Sequence, residues 1–178
     1  MQTYAVTDVP LIPQSKDKAC WYASAQMLMA WRRSRRLSCE ASHPDPSQVP
    51  ALRTMFADND RLSPSQIMEL ARSLGLRDVP PMTPSPGYLA SMLRSYGPLW
   101  FAGYHPSGHV VVITGISNSD VSINDPWPVG TGARRTITFQ RFGEILRPIH
   151  AGGPADALLR LIGRSGGNLT ANLLHFPD

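Results

Sequence analysis

The sequence predicts an α+β architecture, with helices in its first half and an antiparallel sheet in its second. Three observations carry this expectation. Trp21, Ala25, Leu28 and Trp31 recur at three- and four-residue spacing, as one buried face of a helix requires. Two later segments begin with Ser-Pro and stop at Gly, at residues 63–75 and 85–97. Beyond them the chain turns to short aromatic or β-branched runs, LWFAGY, HVVVITGI, DVSIND and RRTITF, parted by Gly, Ser, Asn or Pro.

Taken in order, the segment from Ala19 to about Arg35 has few turn residues and reads as the central buried helix. LSCEASHPDPSQVP is rich in Ser, Pro and Asp and reads as a surface loop. LSPSQIMELARSLGL carries a capping box, with Ser63 as cap, Pro64 at the first helical position and Gln66 reaching back. PSPGYLASMLRSYGP repeats the pattern and predicts a third helix from about Pro86 to Tyr96. The four β runs make an antiparallel sheet, and FQRFGEIL adds a helical turn. Residues 148–178 mix Gly-rich joints with the apolar run ALLRLI, a pattern that assigns them no place. At 178 residues and 42% hydrophobic, the chain is expected to form a single domain over 1–178, with its core at about 10–147.

Composition removes several classes of function. No run of about 18 apolar residues occurs, so no membrane helix is expected. The opening MQTYAVTDVPLIPQ lacks the basic and apolar regions of a signal peptide. Two cysteines, without CxxC or a Cys/His cluster, suggest neither a disulfide framework nor a metal, and no cofactor is expected. The net charge is +4, and its densest cluster, WRRSRRL at 31–37, falls where cations complement a helix C-terminus. Contact with nucleic acid through that cluster is the alternative.

Cys20 stands where the central helix should begin. A thiol attacks as thiolate, a form favoured by the unpaired N–H groups of a helix start and by a neighbouring imidazole. Of the five histidines, His43, His105 and His150 lie in Pro- or Gly-rich surroundings, and His175 sits near the end of the chain. His109 instead opens the most apolar strand, after Gly108, where a scaffold holds a base rigidly. One strand later comes Asp125, followed at once by Pro126, and a hairpin would return it beside His109 to fix the tautomer. Strand alternation lets only one of Asn124 and Asp125 face His109, and the Asp-Pro pair favours Asp125. Gln14, upstream of the helix, offers an amide N–H to an oxyanion, together with the backbone N–H of Cys20. Trp21, Trp100, Tyr104 and Trp127 are candidates to line a substrate cleft, above all Trp21 and Trp127, with core packing an equal explanation for Trp100. Cys39 reads as an incidental surface thiol.

Gln14, the six-residue step to Cys20, Trp21 after it, GHVVVITGI around His109 and INDPW around Asp125 together resemble the papain-like cysteine peptidases, over roughly residues 10–145. In compactness and in the Asp-Pro site the chain resembles two bacterial branches more than papain: the leader-peptide peptidase domains of bacteriocin transporters, and injected effector proteases. The resemblance implies a minimal papain-like fold, with a helical lobe carrying the nucleophile, a C-terminal sheet lobe and a cleft between them. It implies peptide-bond hydrolysis through a thioester, with Cys20 as nucleophile, His109 as base and acid, Asp125 as orienter and Gln14 in the oxyanion hole. As an effector or toxin protease, the enzyme would be made in a bacterial cytoplasm and delivered into a target cell. Its partners would be a protein substrate there and a cognate inhibitor in the producer. Two other readings stand beside this one: a cysteine amidase acting on peptidoglycan stem peptides, and a non-catalytic peptide- or DNA-binding module using the basic cluster.

Overall fold

Helix α1 (Cys20–Ser34) lies across one face of an antiparallel sheet, and this contact sets the position of everything else. The computed structural model describes residues 3–35, 45–79, 85–103, 108–146 and 172–177. Within them, β1 (Tyr4–Ala5) precedes α1, and a 3-10 turn (Pro46–Gln48), α2 (Pro50–Ala57) and α3 (Pro64–Ser73) follow it. Then come β2 (Arg77–Asp78), α4 (Pro86–Tyr96), β3 (Leu99–Ala102), β4 (Val110–Ile116), β5 (Asp120–Asp125), β6 (Ala133–Thr138), α5 (Phe139–Leu146) and β7 (Asn172–His175). Among the described residues the sheet has seven strands, in the order β2-β7-β3-β4-β5-β6, and β1 pairs with the far end of β4. All pairings are antiparallel. The fold is therefore α+β, as expected.

Alternation along the strands builds two cores. Trp100, Ala102, Val110 and Val112 pack with Trp21, Ala25, Leu28 and Trp31 of α1, with Leu52 of α2, and with Leu70 of α3 and Leu74 just beyond it. Phe101, Val111, Ile113 and Ile123, one residue out of phase, pack with Leu89 and Leu93 of α4 and with Phe142 of α5. Burying a side chain of this size stabilises by about 1.5–3 kcal/mol, so both faces of the central strands are covered. Trp100 donates its indole N–H to the Trp21 carbonyl at 3.1 Å, and Ser24 Oγ donates to the Val110 carbonyl at 3.4 Å. These bonds tie the first turns of α1 to β3 and β4.

The helix signals act as read. The Ser63 N–H donates to Gln66 Oε1 at 2.7 Å, and Ser85 Oγ accepts the Tyr88 N–H at 3.1 Å. The sheet is wider than the four expected strands. Two of the additions, β1 and β2, are two-residue strands too short to leave a pattern. The third, β7, comes from the unassigned tail, and puts Leu174 in the α1 core and Leu173 in the α4 core. Helix α2 also lacked a signal, because Val49 offers no capping oxygen and Pro50 extends a proline-rich loop. His43, His105, His150, Cys39, Tyr104 and the tail from 148 to 171 lie outside the described residues.

Gly97 ends α4 at a φ of 79°, and a Cβ there would lie 2.1 Å from the Trp31 ring. Gly97→Ala is expected to destabilise the fold by about 2 kcal/mol or more, read by urea unfolding. An unchanged midpoint would mean that α1 and α4 do not meet there.

Candidate active site

Cys20 is the first residue of α1, and Ala19 before it provides no capping side chain. This end of the helix keeps its orphan N–H groups and the positive end of its dipole. The thiol is buried and makes no disulfide.

His109 stands one residue before β4, with Gly108 at a φ of 77° allowing the chain to turn into the strand. Its Nε2 lies 2.7 Å from Asp125 Oδ1, and the ring is also hydrogen-bonded to the Cys20 side chain. Thiol, imidazole and carboxylate thus form one chain of contacts from α1, β4 and β5. Asn124 points elsewhere, donating to the carbonyls of Val9 and Pro10 at 3.4 and 3.2 Å. Alternation separates the two neighbours as the sequence implied.

Asp125 is only 3% exposed, yet its carboxyl is well served. Oδ1 also accepts the Trp127 N–H at 2.9 Å, and Oδ2 accepts Arg135 Nε at 2.9 Å. Burial pushes its pKa up, but His109, the Trp127 N–H and Arg135 outweigh that and hold it below its ordinary value of 3.8. For His109, burial pushes the pKa down from 6.5, and the bonds and charges of Asp125 and Cys20 carry it up to about 9. The ring is therefore an imidazolium at neutral pH. An imidazolium between thiol and carboxylate can hold a thiolate as its counter-ion and give a proton to a leaving group.

Gln14 occupies a loop clamped from two sides. Its backbone N–H donates to the Pro126 carbonyl at 3.0 Å, and its carbonyl accepts the Gly130 N–H at 2.9 Å, so it is joined to the segment leaving Asp125. On the other side Lys16 Nζ donates to the carbonyls of Phe56 and Ala57 at 2.7 and 3.0 Å, closing the C-terminal end of α2. The Gln14 amide donates both its N–H groups within this loop, to Lys16 O at 2.7 Å and Asp17 O at 2.9 Å. Its Oε1 is buried without a partner. In this arrangement the amide braces the loop before Cys20, and an oxyanion would have to draw one of these N–H groups away.

The two cleft candidates separate. Trp21 is 1% exposed and donates its indole N–H to the Asp60 carbonyl at 3.1 Å, so its ring belongs to the core and cannot line a cleft. The helical spacing that placed Trp21 beside Ala25 and Leu28 already contained this answer. Trp100 is likewise fully buried. Trp127 is 44% exposed two residues beyond Asp125, with exposed Val129 following. Sequence reasoning missed Arg135 and Lys16. An arginine in a strand and a lysine in a loop carry no motif; only the β5–β6 register and the α2 terminus give them partners. Among the described residues no group of three His, Cys, Asp or Glu side chains could hold a metal ion, and no helix is long and apolar enough to cross a membrane.

Residues 3–147 match the family described as papain-like cysteine protease AvrRpt2, and the chain belongs to that family. It is thus a papain-like cysteine protease, a hydrolase. Among solved structures it is similar to a double-glycine-motif protease from an AMS/PCAT transporter, solved in complex with the leader peptide. That likeness has 17% identity and a TM-score of 0.48, over 97% of this chain and 95% of the other. No curated protein sequence matches the chain.

The raised pKa of His109 links this cluster to stability. A group whose folded pKa exceeds its unfolded value stabilises fully below the unfolded pKa and loses that contribution as pH rises through the folded one. Stability is therefore expected to fall as pH rises from 6.5 towards about 9. Denaturant midpoints across that range should show a smaller fall in Asp125→Asn, because the anion that sustains the imidazolium is gone.

Proposed function

We propose that the chain is an endopeptidase that cuts a protein substrate, with Cys20 as nucleophile, His109 as acid and base, and Asp125 as the residue orienting His109. The observation that carries this reading is the run of contacts from the Cys20 side chain through His109 to the Asp125 carboxylate. The thiolate adds to the scissile carbonyl carbon, and the oxyanion meets N–H groups at the start of α1. As the C–N bond breaks, His109 gives its proton to the departing amine, leaving a thioester on Cys20. Neutral His109 then takes a proton from water, whose oxygen adds to the thioester carbonyl. The C–S bond breaks, the acid leaves and the thiolate–imidazolium pair returns. Gln14 serves the oxyanion by keeping the loop before Cys20 in place and by turning an amide N–H toward the substrate. Trp127 gives the substrate an apolar surface beside the site.

Action as a bacterial effector or toxin protease inside a target cell, held in check by an inhibitor in the producer, is the biological setting we infer. The description of the family as papain-like cysteine protease AvrRpt2 supports a peptidase over the amidase alternative. Engagement of two arginines of the basic cluster weighs against a nucleic-acid module. Arg35 bonds to Thr7 and Asp8, and Arg32 lies 4.3 Å from the Phe176 ring centre.

Cys20→Ala is expected to abolish cleavage of an unfolded protein and of a peptide library while leaving the melting temperature near that of the parent. Full cleavage by that variant would overturn the proposal. Digestion of muropeptides in place of protein would establish the amidase reading. Trp127→Ala should raise KM severalfold with little change in kcat, measured on the best peptide from the library, because an exposed apolar contact serves binding. A loss confined to kcat would remove Trp127 from the substrate surface.

A further inference from the structure

Arg135 is the one cation bonded to the Asp125 carboxylate other than His109 among the bonds described, and it approaches from a strand outside the thiol–imidazole–carboxylate chain. The β5–β6 register sets Asp125 opposite Ala133, which places Arg135 two residues further along β6 on the same face. This diagonal is within reach of a long side chain. Nε lies 2.9 Å from Oδ2, while Oδ1 is already shared between His109 and the Trp127 N–H. The carboxylate thus has one oxygen for His109 and one for Arg135.

We infer that Arg135 is a positioning residue for the peptidase reaction: by engaging Oδ2 it locks the rotation of the Asp125 carboxylate, so that Oδ1 faces His109 and the imidazole is held toward Cys20. The inference rests on the assignment of Cys20, His109 and Asp125 made above.

Geometry and burial carry it. A carboxylate 3% exposed, with Oδ2 unpaired, would be driven to take up a proton or to turn toward water. Either change costs His109 its anion. The cation that prevents this is itself half open to solvent, with its side chain 43% exposed beside a cavity of about 440 Å³. That cavity lies between residues 6–9 and the strands β5 and β6, and Asp8, Asn124 and Arg134 also line it. The charged groups bearing on Asp125 are His109, just before β4, and Arg135 from β6, and Arg134 and Asp8 line the cavity. Because the Arg135 side chain is 43% exposed and R135M keeps its apolar stem, that variant is expected to fold, read by its melting temperature beside the parent.

The test is the rate of Cys20 alkylation by iodoacetamide from pH 4 to 9, read by peptide mass spectrometry with Cys39 as internal reference. It compares the parent with R135M, R135K, D125N and D125N/R135M, and adds the Asp125 carboxyl titration by carbon-13 NMR. R135M keeps the apolar stem and loses the donor and the charge. It is expected to slow alkylation about tenfold at neutral pH, as a small misplacement of a reacting pair does. The acid limb should move to higher pH together with the Asp125 carboxyl. R135K, which keeps the cation, should recover most of the rate, and R135M should add no further loss in the D125N background. Parent-like rates and an unmoved acid limb in R135M would overturn the inference, as would an equal loss with and without Asp125. If Cys20 in the parent reacts no faster than Cys39, the assignment of the site itself fails. A fast parent matched by R135M removes only the role of Arg135.

Discussion

A carboxylate nearly closed to water, Asp125, is the constraint around which this molecule is arranged. Burial alone would neutralise it. Three donors from three parts of the chain keep it ionised: the imidazole at the start of β4, the backbone N–H of Trp127 and the guanidinium of Arg135 on β6. The anion in turn keeps His109 charged against its own burial, with a pKa of about 9. The two buried members, Asp125 and His109, are tolerable in the interior only because each meets the other, with Arg135 reaching in from the surface. The same electrostatics that permit the buried carboxylate favour a protonated imidazole beside the Cys20 thiol.

Bringing that imidazole to Cys20 is the work of the α1–sheet contact and of one loop. Helix α1 is bonded to β3 and β4 at Trp21 and Ser24, one and four residues after the thiol. The preceding loop is clasped between the segment that leaves Asp125 and the end of α2. Pro126, Gly130 and Gln14 therefore couple the carboxylate's strand to the loop that leads into α1 through backbone bonds, which do not depend on side-chain identity. Lys16 does the corresponding work at α2, satisfying the last carbonyls of a helix that has no basic residue of its own in that turn.

The strand β7 adds a contribution from beyond the residues that match the family. It enters the sheet between β2 and β3, and His175 stacks on Tyr96 at 4.0 Å between ring centres. Phe176 reaches the basic end of α1, where Arg32 covers it. Arg32 of the arginine cluster thus closes the α1 core as well as charging the surface.

Much of the fold was legible because its signals are local. Period-3.6 spacing located α1, Ser-Pro starts and Gly stops bounded α3 and α4, and β-branched runs marked β3 to β6. The order of Cys20, His109 and Asp125 was equally legible, since each sits at an element boundary that its neighbours announce: a helix start, a Gly before a strand and a Pro after one. Helix α2 was not legible because it lacks a side-chain cap, and strands β1, β2 and β7 because they are short and form against partners far along the chain. The division is sharpest in the site. The sequence by itself determined which residue types stand at the ends of α1, β4 and β5. Only the tertiary structure decided that Trp21 faces the core while Trp127 faces solvent, that the Gln14 amide braces its own loop, and that Arg135 meets Asp125. Those outcomes depend on strand register and on which surface another element happens to cover, quantities that arise between segments and are written in none of them singly.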